Sequence, residues 1–293
     1  MEKEDLFPDL IGQEQAKLAI TDWYLHEKQP LLIYGSSGYG KSTFAEALGA
    51  RTIDTTQFRS DRTSSLLKPI KESEDGEILF FDEVHSLQPK VLESLYKIID
   101  KGTFYNPDMG IDLPIPKVKF IFATNYLNKL SEPFKNRCKI VELQEYSINE
   151  LKSIIHQRYS TLSKNVLESI VKASKGVPRT ALSLAQSTIS GLTTDELLPT
   201  ENNVNKILAS RFNIDPNTGL NQKEFMIIQR VCDKGHLSQT AIANLLKTSI
   251  KDASEEYISP LQASEWLAIT PRGVVPGFKA YENYRLFIKK IGG

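Results

Sequence analysis

A single stretch restricts the fold more than any other: Gly35-Ser36-Ser37-Gly38-Tyr39-Gly40-Lys41-Ser42-Thr43, preceded by the apolar run Leu31-Leu32-Ile33-Tyr34. Its first eight residues satisfy G-x-x-x-x-G-K-S/T, and helical spacing over 43–50 follows it. Strand, glycine-rich turn and helix in that order open a βαβ unit. The residue types fit one chemistry. Glycines let backbone N–H groups curl round phosphates, Lys41 neutralises the β/γ charge, and the Ser42 hydroxyl is a ligand for Mg²⁺.

A second apolar run, Ile78-Leu79-Phe80-Phe81, ends in the carboxylates Asp82 and Glu83. Ligands of open α/β sheets bind at the carboxyl ends of strands, which assigns Asp82 to Mg²⁺ and Glu83 to the attacking water. His85 follows, and a single histidine after a strand reads as structural. Two further runs, 118–123 and 139–143, alternate with helical stretches at 13–28 and 89–100. The expected fold is α/β: a parallel sheet with helices on both faces.

Beyond Gln144 the pattern becomes helical, with periodic segments at 148–159, 164–174, 178–190 and 203–212. Turn formers crowd 213–219, and three helical stretches (223–232, 239–247, 255–263) then lead to a short hairpin around Pro271-Arg272-Gly273. The expected domains are 1–144 for the nucleotide, 145–212 as a helical lid, and 213–293 as a winged helix. The 40% hydrophobic and 25% charged content excludes extended disorder. No apolar run reaches the roughly 18 residues of a membrane span, and the polar start lacks a signal peptide. Two distant cysteines without a CxxC pair argue against a disulfide framework and for the cytoplasm. Net charge is zero, but 202–293 holds twelve Lys/Arg against eight Asp/Glu, which permits a DNA-facing end.

With these residues in place the chain resembles AAA+ ATPases, and within them a divergent or shortened member of the RuvB branch-migration motors. Ile11-Gly12-Gln13 is similar to the family segment beside the adenine. Phe81-Asp82-Glu83-Val84-His85 resembles its Walker B run. Ala123-Thr124-Asn125 looks like sensor 1, with Asn125 orienting water, and the segment ending in Arg137 resembles the one that carries the arginine finger. Gly176-Val177-Pro178-Arg179 resembles sensor 2, which gives Pro178 and Arg179 a place at the nucleotide. Ile269-Thr270-Pro271-Arg272-Gly273 is similar to the DNA-facing wing. Taken singly, Asn125 reads equally as a turn residue, Arg137 as a surface arginine, and Pro178-Arg179 as a helix start.

The resemblance implies a ring-forming motor, hexameric, using ATP and Mg²⁺ on duplex or branched DNA. Catalytic roles fall to Lys41, Asp82, Glu83, Asn125, Arg137 and Arg179, and DNA contacts to Thr270, Arg272 and Lys279. Two departures stand out. The region Gly102–Lys117, where the family docks its partner RuvA through a hairpin, is several residues shorter; Phe104 and Tyr105 read equally as an exposed apolar contact or as part of the core, and a RuvA-like partner is expected at Phe104–Ile111. The wing has also lost two flanking arginines, for which Lys279, Arg285, Lys289 and Lys290 are the candidate replacements. A clamp-loader-like switch is the first rival reading, from Asn136-Arg137-Cys138, although the wing argues against it. A protein remodeller is the second, although no aromatic pore loop is evident.

Overall fold

The computed structural model describes residues 5–53, 55, 68–106, 111–194, 200–215 and 217–283. Met109, Arg285, Lys289 and Lys290 lie outside them, as does the side chain of Tyr105. The chain divides into two compact units, Met1–Gln144 and Glu145–Gly293.

In the first unit, α1 (Glu14–His26) leads to β1 (Leu31–Tyr34), α2 (Lys41–Ala47) and β2 (Arg51–Ile53). Then come β3 (Ile78–Phe81), α3 (Pro89–Lys101), the hairpin β4 (Thr103–Asn106) and β5 (Ile111–Pro114), β6 (Lys119–Thr124), α4 (Glu132–Lys135) and β7 (Lys139–Glu142). Five strands form one parallel sheet in the order β2-β3-β6-β1-β7. Every residue of β3 is buried, as expected of a strand covered on both faces. The core joins Leu32, Phe81 and Phe122 of the sheet to Leu95 of α3 and Phe134 of α4. Helix α3 starts with Pro89, buries Val91, Leu95 and Ile98 along one face, and stops at Gly102 with φ 64°.

Two features of this unit differ from the sequence reading. The helix after the glycine loop spans Lys41–Ala47 rather than 43–50, so Lys41 is already its first residue. Strand β2 has no counterpart in the sequence reading, because three residues of which Ile53 alone is buried are too few to show an alternation. Of the two readings open for Phe104 the structure takes the core one, at 4% exposure, and among the described side chains of the hairpin Ile111 is an exposed apolar one at 46%. The strand pairing explains this, since Phe104 faces Leu113 while Asn106 faces Ile111 at the outer end.

In the second unit, four helices come first: α5 (Ile148–Arg158), α6 (Lys164–Ser174), α7 (Pro178–Thr194) and α8 (Glu201–Phe212). Ser147 and Glu150 close a reciprocal capping box on α5, and Asn221 and Glu224 close another on α9 (Gln222–Lys234). Helix α10 (Gln239–Leu246) is capped by Ser238. The helix expected over 255–263 is split into α11 (Ile250–Ala253), a π turn (Ser254–Ile258) and α12 (Ser259–Ala263). Pro260, which has no N–H and crowds the preceding turn, is the local reason. Strands β8 (Leu267–Thr270) and β9 (Gly273–Pro276) form the wing hairpin, followed by α13 (Phe278–Glu282). Ile227, Ile228, Val231, Ile242, Ile258, Leu261 and Trp266 fill the core beneath it. Among the described residues no helix is long and apolar enough to cross a membrane.

Candidate active site

Gly35, Asp82 and Asn125 leave the carboxyl ends of β1, β3 and β6, and β6 lies between the other two strands. The register sets their levels: Tyr34 pairs with Thr124, and Phe81 with Phe122. Parallel pairing therefore brings the glycine loop, the acidic pair and Asn125 to one edge of the sheet.

The loop has the backbone that its sequence demands. Gly38 and Gly40 have φ of 82° and 98°, a left-handed conformation that a side chain disfavours. Gly40 immediately precedes α2, and it places no side-chain oxygen over the first helical N–H groups. Tyr39, between them, is 3% exposed and anchors the loop inward. Lys41 is also buried, at 7% exposure. Its ammonium donates to the carbonyls of Gly35 (2.7 Å) and Ser36 (3.0 Å) and to Asn125 Oδ1 (2.5 Å). Ser36, Ser37 and Thr43 are exposed and Ser42 partly so.

Asp82 is partly buried and accepts the N–H of Glu83 at 2.8 Å. Glu83 is exposed and has φ 50°, ψ 41°, a left-handed conformation uncommon for a residue with a side chain. That turn swings the Glu83 carboxylate off the strand line into solvent at the sheet edge. The next turn holds His85, whose Nδ1 lies 3.0 Å from Thr124 Oγ1 and whose ring meets Tyr126 edge-on at 5.0 Å. Thr124 Oγ1 also accepts the N–H of Tyr126 at 3.0 Å. His85, read from sequence as structural, thus braces the acidic turn against the Asn125 turn.

The segment containing Ile11 is fastened by its neighbour. Gln13 Nε2 donates to the carbonyl of Gln144 at 2.6 Å, and the N–H of Gln144 donates to Gln13 Oε1 at 2.8 Å. This two-way amide clamp was missed from sequence; the polar residue buried at 7% is its signature. Phe7 meets Phe44 of α2 edge-on at 5.0 Å, so the same segment rests on the helix of the cradle. Ile11 itself is half-buried.

Arg137 is not part of this cluster. Lys139, two residues on, pairs with Leu31 at the beginning of β1, whereas Gly35 follows its end. At about 3.3 Å per residue, Arg137 sits roughly a strand length, about 13 Å, from the cradle edge. In the second unit, Arg179 is exposed on the first turn of α7, after the buried Pro178. Arg272 is exposed at the tip of the wing. Thr270 Oγ1 closes that turn by donating to the carbonyl of Gly273 (3.1 Å) and accepting the N–H of Arg272 (3.3 Å). Lys279 is tied down, donating to the carbonyl of Ser264 at 2.9 Å, with Glu265 at 3.8 Å.

Residues 31–146 match the family model "ATPase family associated with various cellular activities (AAA)". The Holliday junction branch migration complex subunit RuvB of Rickettsia africae is 26% identical, covering 95% of this chain and 88% of its own. That of Thermotoga petrophila is 28% identical, covering 94% and 90%. The solved Thermotoga maritima RuvB Holliday junction branch migration motor superposes with a TM-score of 0.79 at 28% identity, covering 96% of this chain and 99% of that one. A mutant of the same protein gives 0.82 at 27%.

Residues 31–146 form an AAA ATPase domain, and the chain is similar to RuvB over nearly its whole length. As an AAA ATPase it binds nucleotide, and the glycine loop with its buried lysine is the part of the fold suited to that. The residues also fit a magnesium nucleotide. A hydroxyl at Ser42 and a carboxylate at Asp82 are hard oxygen donors, the kind Mg²⁺ takes alongside phosphate and water.

Proposed function

We propose that this chain is an ATP-driven, ring-forming motor that translocates duplex DNA and drives branch migration at four-way junctions. Lys41 and the loop Gly35–Thr43 bind the phosphates of ATP, with Ile11, Pro178 and Arg179 completing the nucleotide site. Ser42 and Asp82 hold Mg²⁺, which supplies charge neutralisation at the transferred phosphoryl group. Glu83 takes the proton of the attacking water, and Asn125 orients that water. The proposed partners are duplex or branched DNA at Thr270, Arg272 and Lys279, further copies of the chain in a hexamer, and a RuvA-like protein at the hairpin. The proposed compartment is the cytoplasm.

One observation carries this reading: Arg137 and the cradle lie at opposite edges of a parallel sheet. An arginine there cannot reach the phosphates of its own subunit but can reach those of a neighbour in a ring. An arginine finger contributes about 10³–10⁵ in rate. The test is ATP turnover with and without linear duplex and four-way DNA. Stimulation by DNA, with Arg137→Ala still binding ATP but retaining only residual turnover, about 10³-fold or more below the parent, supports the reading. Normal turnover in Arg137→Ala removes the trans finger. No mobility shift with linear duplex, four-way junction or single strand at low salt removes the DNA motor.

A further inference from the structure

Arg137 is seated by more contacts than a surface arginine needs. Its Nε–H donates to both oxygens of Asp100, at 2.9 and 3.0 Å, and Nη2 donates to Asp100 Oδ2 at 2.7 Å. Nη1 donates to the carbonyl of Pro133 at 2.8 Å. The guanidinium lies over the ring of Tyr96, 5.2 Å from its centre. Tyr96 is itself fixed by Ser131, 2.7 Å from its hydroxyl, and by the ring of Phe134 at 5.9 Å. Tyr96 and Asp100 are four residues apart on α3 and share one face of that helix.

Stability does not account for this arrangement. The side chains of Arg137 and Asp100 are 32% and 44% exposed, and ion pairs with that access to water contribute little to folding. Orientation accounts for it better. A guanidinium is a planar fork of five N–H donors, and bonds along its Nε–Nη2 edge fix the plane and the direction of the fork. Three of the five are used here, so two remain for an anion outside the subunit. Arg137 also holds the Asp100 carboxyl below its ordinary range by hydrogen bonding, so the pair stays ionised at neutral pH.

We propose that Asp100, with Tyr96 beneath the guanidinium, is the positioning residue that aims Arg137 at the nucleotide of the adjacent subunit. The proposal rests on the assignment of Arg137 as a finger acting in trans. An aimed guanidinium needs no reorganisation when the neighbour's phosphates arrive, and misplacing such a group by about 1 Å can lower the rate 10²-fold.

The test is a double-mutant cycle on the full-length protein, read as DNA-stimulated ATP turnover. Asp100→Asn and Asp100→Ser are each expected to lower kcat about 10-fold or more, with KM for ATP changed by less than about twofold, and Asp100→Glu to recover part of the loss. The same two substitutions in an Arg137→Ala background are expected to change nothing further, because Asp100 acts through Arg137. A further loss there assigns Asp100 a structural role and overturns the proposal. So does unchanged or faster turnover in Asp100→Asn, which would mean that the carboxylate parks the arginine rather than aims it. Failure of the underlying reading looks different, since Arg137→Ala alone would then turn over normally.

Discussion

The Lys41 ammonium donates to Asn125 Oδ1 at 2.5 Å, bridging two turns that leave adjacent strands. Lys41 is the residue suited to a phosphate and Asn125 the one suited to the attacking water, and they share a hydrogen bond in a largely buried setting. A change at either turn therefore reaches the other within one bond. Asn125→Ala is expected to lower kcat about 10²–10³-fold while nucleotide still binds, as when one preorganised polar group is removed from a reaction centre. Fluorescent-nucleotide titration combined with single-turnover hydrolysis separates the two effects. Normal single-turnover rates would remove Asn125 from the chemistry.

Glu83 owes its direction to a left-handed backbone, φ 50°, that carries its carboxylate beyond the end of β3. Glu83→Gln keeps the size and the turn but loses the proton acceptor. Turnover should fall about 10²–10⁴-fold with nucleotide affinity retained, so that ATP stays bound through gel filtration. Rapid hydrolysis by the glutamine variant would move the base elsewhere.

The wing separates a structural residue from a recognition residue one position apart. Gly273 has φ 123°, and a Cβ there would lie 2.7 Å from the Leu237 carbonyl, with which Val274 exchanges backbone hydrogen bonds. Gly273→Ala should cost about 1–3 kcal/mol and lower Tm by several degrees through backbone strain. Arg272→Ala should leave Tm unchanged, weaken duplex binding and reduce its salt slope by about 1. The pair of melting curves and salt titrations decides; an equal effect on Tm would dissolve the distinction.

Glu224, 4% exposed at its side chain, pairs at 2.5 Å with Lys175, the residue that begins the turn into Pro178-Arg179. Removing one partner leaves the other charged and buried. Glu224→Leu should destabilise the protein by about 3–5 kcal/mol, and adding Lys175→Met should recover much of the loss. Urea unfolding of the three variants measures both. Additive losses would show that the pair is not coupled.

Burial pushes the Cys138 thiol up to about 12 and the Cys232 thiol up to about 11. An unfolded thiol titrates near 9.0, so above that pH the unfolded chain releases protons that the native chain keeps. Stability should therefore be unaffected by these groups below about pH 9 and decline as pH rises towards 12. At pH 8, both thiols should resist iodoacetamide until denaturant is added. Rapid native alkylation would contradict their burial.

Much of the first unit was legible because its residues have few alternative uses. A glycine pattern closed by Lys-Ser, and a four-residue apolar run ending in two acids, each imply a strand tip. Parallel pairing then assembles those tips without further information. What escaped notice depends on distant pairing. The mutual amide clamp of Gln13 and Gln144 joins residues 131 apart, and nothing local announces it. Asp100 reads as an ordinary helix-end carboxylate until the chain brings Arg137 to it from 37 residues away. Phe104 stays open between surface and core in the sequence for a related reason: alternation fixes which side chains share a face of a hairpin, but not which face the core takes. In the wing, Thr270 and Lys279 carry the right chemistry for DNA, yet their polar groups are engaged within the protein.

The opposed edges of the sheet also rule on symmetry. A contact that sets the Arg137 edge of one copy against the Gly35 edge of the next uses two unlike patches, so it is heterologous and cannot close as a two-fold pair. Head-to-tail growth must end either in full rotation or in a seam. At a seam, one cradle faces solvent instead of an arginine and falls silent, whatever nucleotide it holds. The position of the break, not the sequence of any subunit, would then determine which member of the circle idles.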